Sequence, residues 1–148
     1  MDKLIELLIK YRNGKIFGGL FHASLRLLSI EIPNNVKIGK NLSLLHGGVG
    51  VVLHPSTEIG DGVRIFQGVT LGRADVEKKW QESKMEKIIV ENGVIICAGA
   101  KILCKRGVLT IGKNTIIGAN AVLTKSTGEN EIWAGVPAKK IGIREDIS

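Results

Sequence analysis

From Ile32 onward the chain carries an aliphatic residue at every sixth position: Ile32, Ile38, Leu44; Leu53, Ile59, Ile65, Leu71; Val90, Ile96, Ile102; Ile111, Ile117, Leu123. A period of six matches neither the turn of an α-helix nor the two-residue alternation of a lone strand. Four residues after most of these stands a small or β-branched side chain (Val36, Val63, Val69, Val94, Ala100, Thr115, Ala121), so each hexad offers two inward positions. A unit this short cannot bury a face alone; neighbours must stack into one continuous core, which is the logic of a β-helix. Each hexad then reads as one strand and one turn, with Asn41, Gly62, Asn92, Gly93, Asn114 and Asn120 at corners that need positive φ.

The phase slips twice, because Leu44 to Leu53 and Ile102 to Ile111 are each nine residues apart, and both slips read as three-residue bulges at a corner. The long break, residues 73–87 (RADVEKKWQESKMEK), is charged and lacks the sixfold pattern. It is expected to be a loop extruded from the solenoid, and such excursions from a compact fold are more often functional than accidental.

Length and composition agree with one all-β unit. The 148 residues suffice for a single core, and aromatics at 4% leave that core to Ile, Val and Leu, which favour strands. Lys and Arg exceed Asp and Glu by 21 to 14, for a formal charge of +7, so an anionic ligand is expected. The basic residues are scattered with almost no aromatic platforms between them, so no nucleic-acid partner is expected. Cys97 and Cys104 form no metal-ligand or disulfide framework and read as reduced structural thiols, consistent with a cytoplasmic protein.

Residues 1–28 place Leu4, Leu7, Leu8 and then Phe21, Leu25, Leu28 at helical spacings, with Asn13-Gly14 as a turn between two short helices. This segment has charges inside its apolar stretch and no cleavage site, so it is neither a signal peptide nor a spanning helix. It is expected to cap the open end of the solenoid. Lys3, Lys10, Arg12 and Lys15 beside the apolar face raise a second possibility, a weak contact with a membrane surface. The expected organisation is a helical cap over 1–28, a β-helix over 29–142 and a tail over 143–148.

Between Glu31 and Gly142 the residues resemble the hexapeptide-repeat acyltransferases. The runs Glu31-Ile32, Val36-Lys37-Ile38-Gly39, His46-Gly47-Gly48-Val49-Gly50-Val51-Val52, Gln67-Gly68-Val69-Thr70-Leu71-Gly72 and Ala98-Gly99-Ala100-Lys101-Ile102-Leu103 are most similar to serine acetyltransferase. Ala134-Gly135-Val136-Pro137-Ala138-Lys139-Lys140-Ile141-Gly142 is similar to the end-of-helix signature of the wider family. The resemblance implies a left-handed parallel β-helix, a homotrimer with its active sites at the subunit seams, and acetyl-CoA as co-substrate.

Moving an acetyl group from a thioester to a hydroxyl needs a base for the hydroxyl proton, and histidine titrates near working pH. His46 beside Gly47-Gly48 is the candidate base, and the family's catalytic histidine falls at this position. Glu31, fifteen residues earlier and nearly one coil away, is the candidate partner for the second ring nitrogen; the family carries Asp there. By resemblance, Gly72, Ala98 and Ala119 lie along the groove for the pantetheine arm, while Lys139 and Lys140 could meet the phosphates of coenzyme A. No Cys or Ser is paired with a base, so direct transfer without an acyl-enzyme is expected. His22 and His54 receive no role, and the histidine pair that holds zinc in some hexapeptide β-helices is missing, so no metal is expected.

Two positions depart from serine acetyltransferase. Leu45 stands where the family has Asp before the catalytic His, and Glu86-Lys87 replaces an Arg-His pair after the Gln-x-Val-Thr-Leu-Gly run. Both weaken recognition of an amino acid. The expected acceptor is therefore a sugar hydroxyl in polysaccharide biosynthesis, with free serine, the acceptor of cysteine biosynthesis, as the alternative. A non-catalytic β-helix scaffold is the competing class.

Overall fold

The computed structural model describes residues 2–145, so Met1 and the last three residues of the expected tail lie outside the described residues. Two helices, α1 (Asp2–Tyr11) and α2 (Gly18–Leu27), come first. The chain then winds through repeated triplets of strands. These are β1 (Lys37–Ile38), β2 (Ser43–Leu44) and β3 (Val52–Leu53); then β4 (Thr57–Ile59), β5 (Arg64–Ile65) and β6 (Thr70–Arg73). Next are β7 (Lys84–Val90), β8 (Ile95–Ile96) and β9 (Lys101–Cys104), then β10 (Arg106–Ile111), β11 (Ile116–Ile117) and β12 (Val122–Leu123). β13 (Glu131–Ala134) and β14 (Lys139–Ile143) close the coil.

From β1 to β9 each strand pairs in parallel with the strand three places further on, and β11 pairs in parallel with β13. The first face is β1-β4-β7-β10, the second begins β2-β5-β8-β11-β13, and the third is β3-β6-β9-β12. The product is a three-faced parallel coil, each turn rising by about one strand spacing, ~4.8 Å. Only the last pair, β13 with β14, is antiparallel.

The hexad residues form the core. Twelve of the thirteen sixth-position aliphatics are buried, as are Val36, Val63, Val69, Val94, Ala100, Thr115 and Ala121. Ile38 is half-buried because it lies on the first coil, where no further turn covers it and α1 supplies the lid. Asn41, Asn114 and Asn120 and the glycines Gly62 and Gly93 take the left-handed conformation at the corners. Asn92 does not; Gly93 beside it turns the chain, and the Asn92 amide oxygen accepts the Asp61 N–H at 2.8 Å.

The helices bury only part of the expected stripe, Leu8 and Leu25, and add Ile5 and Ile9 to it. Ile5, Leu8, Ile9 and Leu25 are buried, whereas Leu4 and Leu7 are exposed. The segment is apolar on more than one side, so spacing alone did not identify the covered stripe.

The two slips in phase have different causes. The first is the turn Leu45–Gly48 at the corner between the second and third faces. The second is not a corner bulge: β9 continues to Cys104 and β10 begins at Arg106, so the extra residues lengthen two strands. β7 begins at Lys84, inside the stretch expected to be loop, and pairs Lys84 with Arg106 and Met85 with Gly107. The excursion that leaves the coil is therefore residues 74–83, shorter than 73–87, and its return strand is held by the second slip.

Candidate active site

The corner between the second and third faces gathers most of the candidate residues. Within the turn Leu45–Gly48, three consecutive residues are left-handed: His46 at φ 53°, Gly47 at 71° and Gly48 at 61°. Glycine is required at 48, where an added Cβ would fall 2.8 Å from Leu44 Cδ1. His46 has no such freedom, and holding a non-glycine residue there costs on the order of 1–3 kcal/mol, a form of strain that concentrates at functional sites. The turn leaves the His46 imidazole exposed, with the Phe66 ring 5.9 Å away.

Successive coils stack above this turn. The Gly68 N–H donates to the Val49 carbonyl at 2.8 Å, Gly99 to Gln67 at 2.9 Å, and Asn120 to Ala98 at 2.9 Å. His46, Ala98 and Ala119 thus share one corner, with Ala119 three coils, about 14 Å, above Val49. Lys139 is in register with Ala134, one coil beyond Gly118, so it stands at the top of the same corner.

Three candidates lie elsewhere or are otherwise engaged. Gly72 is on the third face, paired with Leu103, four residues beyond the corner glycine Gly68. The Lys140 ammonium is bonded to Glu131 at 2.8 Å, which occupies its charge. Glu31 lies beneath Val52 on the third face, and its carboxylate faces Arg26 at 3.8 Å. No hydrogen bond joins Glu31 to His46 among the described residues. The family resemblance and the fifteen-residue spacing suggested proximity, but Arg26 from the helical segment offers the carboxylate a cation.

Sequence reasoning passed over three residues at this corner. Phe66 sits beside His46; Lys101 donates to the Gly68 carbonyl at 2.6 Å and to Thr70 Oγ1 at 3.2 Å; and the Gln67 amide oxygen is buried with no donor. Scarce aromatics and polar side chains at outward hexad positions were the available signal. Lys87, which with Glu86 stands in place of the family's Arg-His pair, is on the first face and bonds Glu58 of its own chain at 2.8 Å. That bond and a second from Lys37 hold the Glu58 carboxyl below its usual range.

The 74–83 excursion is anchored at the next corner. The His54 ring stacks on Trp80, and Arg73 donates to the Lys78 carbonyl at 2.8 Å. Asp75 is fully buried; burial alone would raise its carboxyl, but hydrogen bonds from the Ser83 hydroxyl and the Lys84 amide, with Arg73 nearby, hold it below the ordinary value. Burial pushes the thiols of Cys97 and Cys104 upward, which keeps both protonated and poorly nucleophilic. No group of three or more metal-ligating side chains occurs among the described residues.

Relatives now place the chain. No family model matches it. A serine acetyltransferase of Helicobacter pylori is 36% identical over 139 residues, covering 94% of this chain and 76% of the relative. The chain belongs to the serine acetyltransferase family. A Staphylococcus aureus member is 42% identical over 118 residues, 78% of this chain and 51% of the relative. The crystal structure of Brucella abortus serine acetyltransferase in complex with coenzyme A superposes with a TM-score of 0.74 at 29% identity, covering 96% of this chain and 54% of that one. The chain spans about half the length of the curated relatives it matches first, as with the Staphylococcus protein. No helix among the described residues is long and apolar enough to cross a membrane.

Proposed function

We propose that this chain is an acetyl-CoA-dependent O-acetyltransferase, wound as the family's left-handed coil, and that L-serine is its acceptor. The observation that carries the reading is the strained, exposed His46 at the foot of a corner whose upper two coils carry the small side chains Ala98 and Ala119. Such a corner leaves backbone groups open to an extended arm. The buried, donor-less Gln67 oxygen beside it would be satisfied by a ligand N–H, as in the amides of pantetheine. Lys139 at the top of the corner would meet phosphate, whereas Lys140 is already held by Glu131.

In this account His46 takes the acceptor's hydroxyl proton as the oxygen attacks the thioester carbonyl carbon. Collapse of the tetrahedral adduct breaks the carbon–sulfur bond, and the imidazolium returns the proton to the departing thiolate. The ester forms and free coenzyme A leaves with no acyl-enzyme, in keeping with the protonated state of both cysteines. Glu31 would orient the imidazole after leaving Arg26. Val49 and Val52, exposed beside this site, support a homotrimer in which a neighbouring subunit covers them.

A sugar hydroxyl is the second reading. Leu45 offers no carboxylate to an amino group, and Lys87 is committed to Glu58. The relatives described above are all serine acetyltransferases, which favours serine. The test is thiol release from acetyl-CoA with L-serine, then with a panel of sugars and glycans. Serine-dependent release supports the proposal; release with sugars alone moves the acceptor to the second reading; no release with any acceptor contradicts acetyl transfer.

A further inference from the structure

The helical segment is apolar on two sides. Toward the coil it buries Ile5, Leu8, Ile9 and Leu25. Away from it, Leu4, Leu7, Ile16, Phe17, Leu20 and Leu27 are exposed, Ile16 at 85% and Leu27 at 87%. The Tyr11 and Phe21 rings, 6.3 Å apart, join the two helices, with Phe21 partly buried against the core. A helix apolar all round is the pattern of one covered on both sides, and a cluster of exposed apolar side chains marks an interaction surface.

The charges around the cluster identify its partner. Within residues 1–28 the acidic residues are Asp2 and Glu6, against Lys3, Lys10, Arg12, Lys15 and Arg26. Arg12 turns inward, donating to the Ile9 and Val36 carbonyls, and Arg26 faces Glu31. Lys3, Lys10 and Lys15 remain exposed, with the Lys10 ammonium 5.4 Å from the Tyr11 ring centre. A second copy docked across a two-fold axis would bring the same lysine-bearing surface against itself, like charge to like charge. An anionic bilayer satisfies both features, taking the apolar side chains below its headgroups and the ammonium groups at the phosphate level. We infer that α1, the linker through Ile16 and Phe17, and α2 form an interfacial docking surface for anionic membranes.

Co-sedimentation of the full chain with phosphatidylcholine vesicles, with and without phosphatidylglycerol, tests this. The chain should bind the phosphatidylglycerol vesicles, release them as salt is raised, and bind phosphatidylcholine at least tenfold more weakly. Ile16→Ser/Phe17→Ser/Leu20→Ser changes only exposed side chains and should reduce binding at least tenfold while thermal unfolding stays unchanged. Lys3→Gln/Lys10→Gln/Lys15→Gln should remove the preference for phosphatidylglycerol. The inference is overturned if the folded native chain stays in the supernatant, or if the serine variant binds as tightly as native. It is equally overturned if the surface instead drives a soluble dimer, seen by size-exclusion chromatography, that the serine variant dissociates.

Discussion

Trp80 lies flat on His54, with ring centroids 5.0 Å apart and planes within 12°, and this stack ties the 74–83 excursion to the coil. Burial, reinforced by the charge of Arg73, holds the His54 imidazole below its ordinary value. Its Nδ1 accepts the Ser56 N–H at 3.1 Å, a bond the protonated ring could not accept.

A pH dependence of stability follows. In the unfolded chain this histidine takes its proton near pH 6.5, whereas the folded one takes it only at lower pH. The stabilisation is complete above about pH 7 and is lost as pH falls through 6.5 toward the folded value. Melting temperatures from pH 7.5 to 5 should decline, and His54→Gln should flatten the decline. Equal slopes for both proteins would show that His54 does not contribute.

Core substitutions should rank by position in the coil. Ile96 is fully buried between β5 and β11 on the second face, so Ile96→Ala should cost about 2–5 kcal/mol. Ile38, half-buried on the end coil, should cost less when truncated. Denaturant unfolding of the two variants checks the order.

The hexads made the coil legible because each strand places the same two positions inward on every turn. Three features were not legible, each for a physical reason. Val90 and Ile111 keep the sixfold phase, but the residues leading into them, Lys84 and Met85 paired with Arg106 and Gly107, lie outside it, so neither stretch announced the other. The inward stripe of α1 was hidden by leucines on the opposite side. The contact of Arg26 with Glu31 was hidden because spacing along the coil says nothing of what the helical segment brings beside that carboxylate.

The corner reading separates Ala119 from Gly72. Ala119→Leu should raise the KM for acetyl-CoA about tenfold, because its side chain would fill the exposed corner. Gly72→Ala should have little effect on either stability or KM. An added Cβ there would meet nothing closer than 3.9 Å, and Gly72 lies off the corner. Steady-state kinetics with varied acetyl-CoA decides between them.

In the proposed mechanism Glu31 acts as a positioning residue through His46. Glu31→Gln should lower kcat about tenfold with KM unchanged, and Glu31→Asp should restore part of the loss. Arg26→Ala should change stability by less than about 1 kcal/mol, since the pair is exposed and long. A Glu31→Gln enzyme with native kcat would remove Glu31 from the account.

The central claim is that His46 is the base, and the most direct measurement pairs turnover with binding in His46→Ala. Acetyl-CoA affinity by calorimetry should stay within about threefold of native, while serine-dependent thiol release should fall by about 10²–10⁴-fold, the range for loss of a general base. Native turnover in the variant would contradict the assignment.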